Sequence, residues 1–159
     1  MLCTNLLLGD ILSSKLPEKG KILVPFDGSE SSNQVLSYAI DFAMRYSARI
    51  TLVHVAPYPT IFTGVTTTTT TVLTDSMLVQ NGNQILSDCL REVEKIGVKA
   101  STQLLRGHPG MKIVQYAEDE GFDLIVMGNR GLSGISRFFM GSVSHYVVDN
   151  AQCPVTIVK

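Results

Sequence analysis

The chain is short of charge, of cysteine pairs and of long apolar runs, and each shortage removes a class of function. Asp, Glu, Lys and Arg make up 17% of its 159 residues, against about 25% in an ordinary soluble domain. The formal net charge is −1, so there is no field that would gather nucleic acid or anionic lipid, and neither is expected as a partner. So little charge, with a mean hydropathy of +0.21, points to surface covered in an oligomer. Cys3, Cys89 and Cys153 are odd in number, far apart and without a C-x-x-C pair. That pattern offers neither a disulfide framework nor a zinc site, and it fits a reducing cytoplasm, the location expected here. No run approaches the roughly 18 apolar residues of a membrane span. Leu6-Leu7-Leu8 has no basic residue before it and Asp10 soon after, so it does not read as a secretory signal.

Catalytic signatures are missing too. There is no G-x-x-x-x-G-K-[ST] to bring a lysine to terminal phosphates, and no G-x-G-x-x-G dinucleotide fingerprint. No carboxylate pair announces a metal site, and no general base, nucleophile and transition-state clamp assemble in the way efficient phosphoryl transfer needs. The sequence supports binding more strongly than turnover.

What is present centres on the stretch Asp123-Leu124-Ile125-Val126-Met127-Gly128-Asn129-Arg130-Gly131, followed after residues 132–140 by Gly141-Ser142-Val143. A continuous apolar run of this kind reads as a strand buried on both faces. It breaks at two glycines three apart and gives way to an apolar pattern of helical spacing. Strand, glycine-edged loop and helix N-terminus together aim backbone N–H groups and a positive dipole end at whatever lies above the strand, which favours an anion. Glycine suits those positions because a Cβ would hold a phosphate oxygen away, or because the turns require φ above zero. Ser142 adds a hydroxyl able to cap the helix or to donate to phosphate.

Along the rest of the chain, strands are predicted at Lys21 to Phe26, Arg49 to Ala56, Val98 to Leu105, Asp123 to Met127 and Pro154 to Val158. Helices are predicted from Asn33 to Tyr46, about Met77 to Ile96, Pro109 to Glu120 and Ser142 to Asp149, each on apolar residues at helical spacing. Asp27-Gly28-Ser29-Glu30 supplies a tight turn and candidate N-caps. Pro57 to Asp75, with six threonines at Thr66 to Thr71, is expected to be a surface loop, since the run has no apolar face to bury. Met1 to Gly20 is expected to be a short extension ahead of a single domain at 21–159. Five strands alternating with four helices give an α/β doubly wound parallel sheet of strand order 3-2-1-4-5. Ligands in such sheets bind beyond the strand C-termini where the order reverses, which would bring Asp27 beside Gly128.

The spacing of Gly128, Gly131, Gly141 and Ser142 resembles the nucleotide-binding signature of the universal stress protein family, in its ATP-binding branch. The resemblance extends over roughly Lys21 to Lys159, with Val24-Pro25-Phe26-Asp27-Gly28-Ser29-Glu30 at the front and Cys153-Pro154-Val155-Thr156-Ile157-Val158 at the end. It implies a nucleotide site made of Pro25, Asp27, Val55, Met127, Gly128, Arg130, Gly131, Gly141, Ser142 and Val143. By spacing alone Asp27 reads more readily as a turn aspartate capping the next helix than as an acceptor for ribose hydroxyls; the resemblance reverses this, since Asp27 falls on the family's motif aspartate, which contacts the nucleotide. Pro25, Val55 and Met127 match positions on the adenine and ribose side, and Arg130 matches a pocket position. Asn129 stands where members often carry serine. His54 reads as a hydrogen-bonded structural histidine, His108 as a capping residue, Cys153 as structural and Arg137 as a solvated charge. The resemblance also implies a homodimer through the last strand. The function expected is an ATP-binding regulator of the stress response, with Mg2+ carried on the phosphates. The rivals are a slow ATPase or autophosphorylating protein, and an interaction module holding AMP or another adenine nucleotide.

Overall fold

The computed structural model describes residues 20–58, 68–129 and 140–159, with backbone alone at Glu30 and at 68–74. Five strands order as β3-β2-β1-β4-β5, all parallel. They are β1 (Lys21–Pro25), β2 (Arg49–Ala56), β3 (Ala100–Arg106), β4 (Leu124–Gly128) and β5 (Val155–Val158). Among the described residues the helices are α1 (Glu30–Tyr46), α2 (Thr68–Lys95), α3 (Pro109–Asp119) and α4 (Ser142–Asn150). The expected class and strand order are both present, and the order reverses between β1 and β4, where Ile22 and Leu23 register with Leu124 and Ile125.

Apolar side chains alternate between the two faces of the sheet, as the period of two in a strand requires. Ile22, Val24, Ile50, Leu52 and Val126 join Val35, Ala39, Leu86 and Val93 in one core under α1 and α2. Leu23, Val53, Ile125 and Met127 join Ile113, Ala117 and Val147 in a second core under α3 and α4. Leu23, Val24, Ile125 and Val126 are wholly out of solvent, and each stabilises the fold by about 1.5–3 kcal/mol on burial. Because both faces are covered, the strands read as unbroken apolar runs rather than as alternating ones.

Two helix starts differ from expectation by three residues or more. α1 begins at Glu30 instead of Asn33, with Ser29 as its N-cap residue. α2 begins at Thr68, so Thr68 to Thr71 are helical where a loop was expected. A threonine costs only about 0.5 kcal/mol against alanine in a helix, and lengthening an existing helix adds one hydrogen bond per residue. Met1 to Lys19 and Thr66 and Thr67 lie outside the described residues. No helix among those described is long and apolar enough to cross a membrane.

Candidate functional site

A cavity of about 260 Å3 opens above the C-terminal ends of β1, β2 and β4, against the first turns of α3 and α4. Pro25 and Asp27 come from the end of β1, Val55 from β2, and Met127 and Gly128 from β4. Gly141, Ser142 and Val143 close it from the start of α4. Eight residues singled out in sequence therefore line one cavity, while Arg130 and Gly131 lie outside the described residues. Pro25, Val53, Val55 and Met127 share the sheet face of the second core, and α3 adds Pro109 and Ile113. The cavity is thus the open top of that core, at the strand-order reversal where doubly wound sheets take ligands. A larger groove of about 570 Å3 between α1 and α2 carries Asp88, Arg91, Glu92 and Lys95. Those charges pair with one another within α2, as on an ordinary solvated helix face.

Gly141 is the N-cap residue of α4, at φ −64° and ψ 153°, with no side-chain hydrogen bond capping the helix. Its N–H donates to the Asn129 carbonyl at 2.8 Å and its carbonyl accepts from His145 N–H at 2.9 Å. Gly141 does not have a positive φ, and Gly128 is not among the glycines that do. Of the two reasons for glycine, close approach is the one that remains. Ser142 is the first helical residue and exposed, so it is not the cap. Two residues on, Ser144 is 3% exposed and donates to the Gly128 carbonyl at 2.7 Å. That bond ties the helix start to the end of β4 and leaves the first-turn amides facing the cavity without a side-chain cap.

At the other wall, the Asp27 carboxylate accepts from Ser29 N–H at 3.0 Å and from the buried Ser32 hydroxyl at 2.5 Å, both at Oδ1. Gly28 follows at φ +79°, in the left-handed region that glycine adopts freely. His54 Nδ1–H donates to the Phe26 carbonyl at 2.8 Å, the structural role read for it in sequence. His108 takes the N-cap position of α3, but its ring caps nothing; its carbonyl accepts from Lys112 N–H at 3.0 Å. Burial raises the Cys153 thiol and pushes Cys89 up to about 12, so neither is a ready nucleophile at neutral pH. Among the described residues no group of three or more His, Cys, Asp or Glu side chains is placed to hold a metal ion. Ser32 and Ser144 were missed in sequence, because a buried hydroxyl is recognised only by the tertiary partner it finds.

A sequence model of the universal stress protein family matches residues 19–159. The chain belongs to the universal stress protein family. Universal stress proteins of Methanocaldococcus jannaschii and Bacillus subtilis are 36% and 33% identical to it, over 87% of this chain and 81% and 98% of theirs. UspA from Lactobacillus plantarum has the same fold at a TM-score of 0.75 and 26% identity, covering 88% of this chain and 97% of that one. More distant universal stress proteins share the fold and carry nucleotides. One from Archaeoglobus fulgidus is in complex with dAMP, at a TM-score of 0.61, 24% identity and coverage of 88% and 98%. One from Arabidopsis thaliana has AMP bound, at 0.66, 22%, and 88% and 91%. A further one is in complex with cAMP, at 0.67, 22%, and 88% and 97%.

Proposed function

We propose that this universal stress protein binds an adenine nucleotide in the cavity between β1 and β4, with ATP as its working ligand, and regulates a stress response by its occupancy. The observation that carries the reading is the meeting, at the strand-order reversal, of an apolar wall, a fixed carboxylate and a glycine-capped helix N-terminus. Pro25, Val55 and Met127 flank the base and sugar. Asp27 accepts from ribose hydroxyls. Gly128, Gly141, Ser142 and Val143 receive the phosphates on backbone N–H groups and the Ser142 hydroxyl, where a helix dipole favours anions. Arg130 and Gly131, outside the described residues, are assigned to the same site, and Mg2+ would be carried on the phosphates. The AMP, dAMP and cAMP held by proteins of the same fold support an adenine nucleotide as the ligand class. The domain spans 21–159, acts in the cytoplasm and pairs with a second copy through β5, the sheet's edge strand.

The test is to identify by mass spectrometry any nucleotide carried by the purified protein, then to measure ATP affinity and turnover with Mg2+ in wild type and in Gly141→Val. The expected result is ATP binding in wild type, lost in a variant that still melts cooperatively, because a valine side chain fills the space of a phosphate oxygen. Multiple turnovers that vanish with Gly141→Val would make the protein an ATPase instead of a sensor. ATP affinity retained in Gly141→Val would remove the site.

A further inference from the structure

Asp27 is supported by one face of a helix that contributes no residue to the cavity wall. Phe26, just before it, is fixed at both backbone groups. Its N–H donates to the Val53 carbonyl at 2.8 Å, and its carbonyl accepts from His54 Nδ1–H at 2.8 Å. A carbonyl cannot donate, so the proton sits on Nδ1 whether the ring is neutral or charged. The His54 ring in turn lies against α2 at Gly82. A Cβ at Gly82 would fall 2.8 Å from His54 Cδ2 and 2.7 Å from Leu104 Cδ1, closer than non-bonded carbons approach.

Gly28, just after Asp27, rests on the same helix. A Cβ there would lie 3.3 Å from Ile85 Cδ1. Gly82 and Ile85, three residues apart, stand on one face of α2. The residue before Asp27 is therefore held through His54, and the residue after it directly, by neighbouring positions of one helix. Asp27 lies between these supports. Its Oδ1 is tied to Ser29 N–H and Ser32 Oγ in the same turn, so the carboxylate goes where the turn goes. A displacement of the turn by about 1 Å takes a hydrogen bond of ordinary length beyond its range.

We propose that His54 is a positioning residue for the Asp27 carboxylate, seated on Gly82 and Ile85 of α2, and that this support sets how strongly the pocket prefers a ribose over a sugar lacking its hydroxyls. The proposal rests on the reading of the cavity as an adenine-nucleotide site. Its readout is a ratio of two affinities, which a general loss of stability does not move.

The experiment measures, by titration calorimetry, the affinities for ATP and for 2′,3′-dideoxy-ATP in wild type, Asp27→Ala, His54→Phe, His54→Asn and Gly82→Ala, with melting curves for each. Wild type is expected to prefer ATP by about tenfold or more, the scale of hydrogen bonds to a charged group, and Asp27→Ala to lose that preference. His54→Phe keeps a ring but no donor and should fall to within about twofold of Asp27→Ala. His54→Asn places an amide nitrogen the same number of bonds from the backbone as Nδ1 and should restore the preference. Gly82→Ala, outside the cavity, should lower it in the same direction, and decides the matter if His54→Phe does not fold. A wild-type ratio in both His54→Phe and Gly82→Ala overturns the proposal while leaving the nucleotide site intact. No affinity of wild type for either nucleotide overturns the site and the proposal together.

Discussion

Ser142 and Ser144 stand two residues apart at the start of α4, and the structure assigns them opposite consequences. Ser144 is buried, with its hydroxyl 2.7 Å from the Gly128 carbonyl. Ser144→Ala removes that donor and strands a carbonyl at the mouth of the cavity, for about 1–3 kcal/mol of folding stability. In a domain of this size about 1 kcal/mol shifts Tm by about 2–4 °C, so a loss near 2 kcal/mol lowers it by about 4–8 °C. Ser142 is exposed at the first helical position, and Ser142→Ala should leave Tm within about 2 °C, since surface changes away from special features stay near ±0.5 kcal/mol. Affinity should show the reverse pattern. Ser142→Ala loses a donor to phosphate, whereas Ser144→Ala, assayed well below its Tm, loses less. The assays are thermal unfolding of the nucleotide-free protein and calorimetric titration with ATP. Equal destabilisation by the two substitutions would refute the argument, because it would mean that Ser142 caps the helix after all.

Two further outcomes follow from features away from the cavity. Burial, and after it the charge of Glu92, hold the Cys89 thiol near 12 against an ordinary value of 9.0. The folded state therefore keeps a proton that the unfolded chain releases, and the resulting stability is complete below about pH 9 and lost as pH climbs towards 12; urea midpoints that fall no faster over that range in wild type than in Cys89→Ala would contradict it. At the sheet edge, Val155→Lys or Ile157→Glu should convert a dimer into monomers by light scattering, and an unchanged mass would rule out β5 as the contact.

The strand order and the cavity wall were legible in sequence because both rest on local composition. Leu124 to Met127 is apolar throughout since both faces of β4 are covered, and Gly128 and Gly141 end β4 and cap α4 at the cavity. The start of α2 was not legible. The threonine run is a poor helix former taken alone, and Thr68 to Thr71 are helical because they extend a helix already formed downstream. Ser142 was read as a possible cap, yet the cap is Gly141, one residue earlier, a boundary too fine for pattern alone. Gly82 and Ile85 gave no signal of function, since their importance lies in meeting His54 and Gly28 across the fold. His54 was read correctly as structural, but the carbonyl it holds, and the carboxylate beyond it, appear only when β1, β2 and α2 are brought together.

The sheet divides the interior into two separate cores, and most of the cavity's apolar lining belongs to one of them. A nucleotide bound there would complete the layer under α3 and α4 and would reach the layer under α1 and α2 only through Phe26, Ser32 and the Asp27 turn. Occupancy would make the domain asymmetric in its fluctuations, with amides of α3, α4 and the top of β4 exchanging more slowly with solvent while those of α1 beyond its first turn change less. A partner that senses the nucleotide without touching it would meet the larger change on one flank, the exposed outer surface of α3 and α4, where Met111 and Val148 lie.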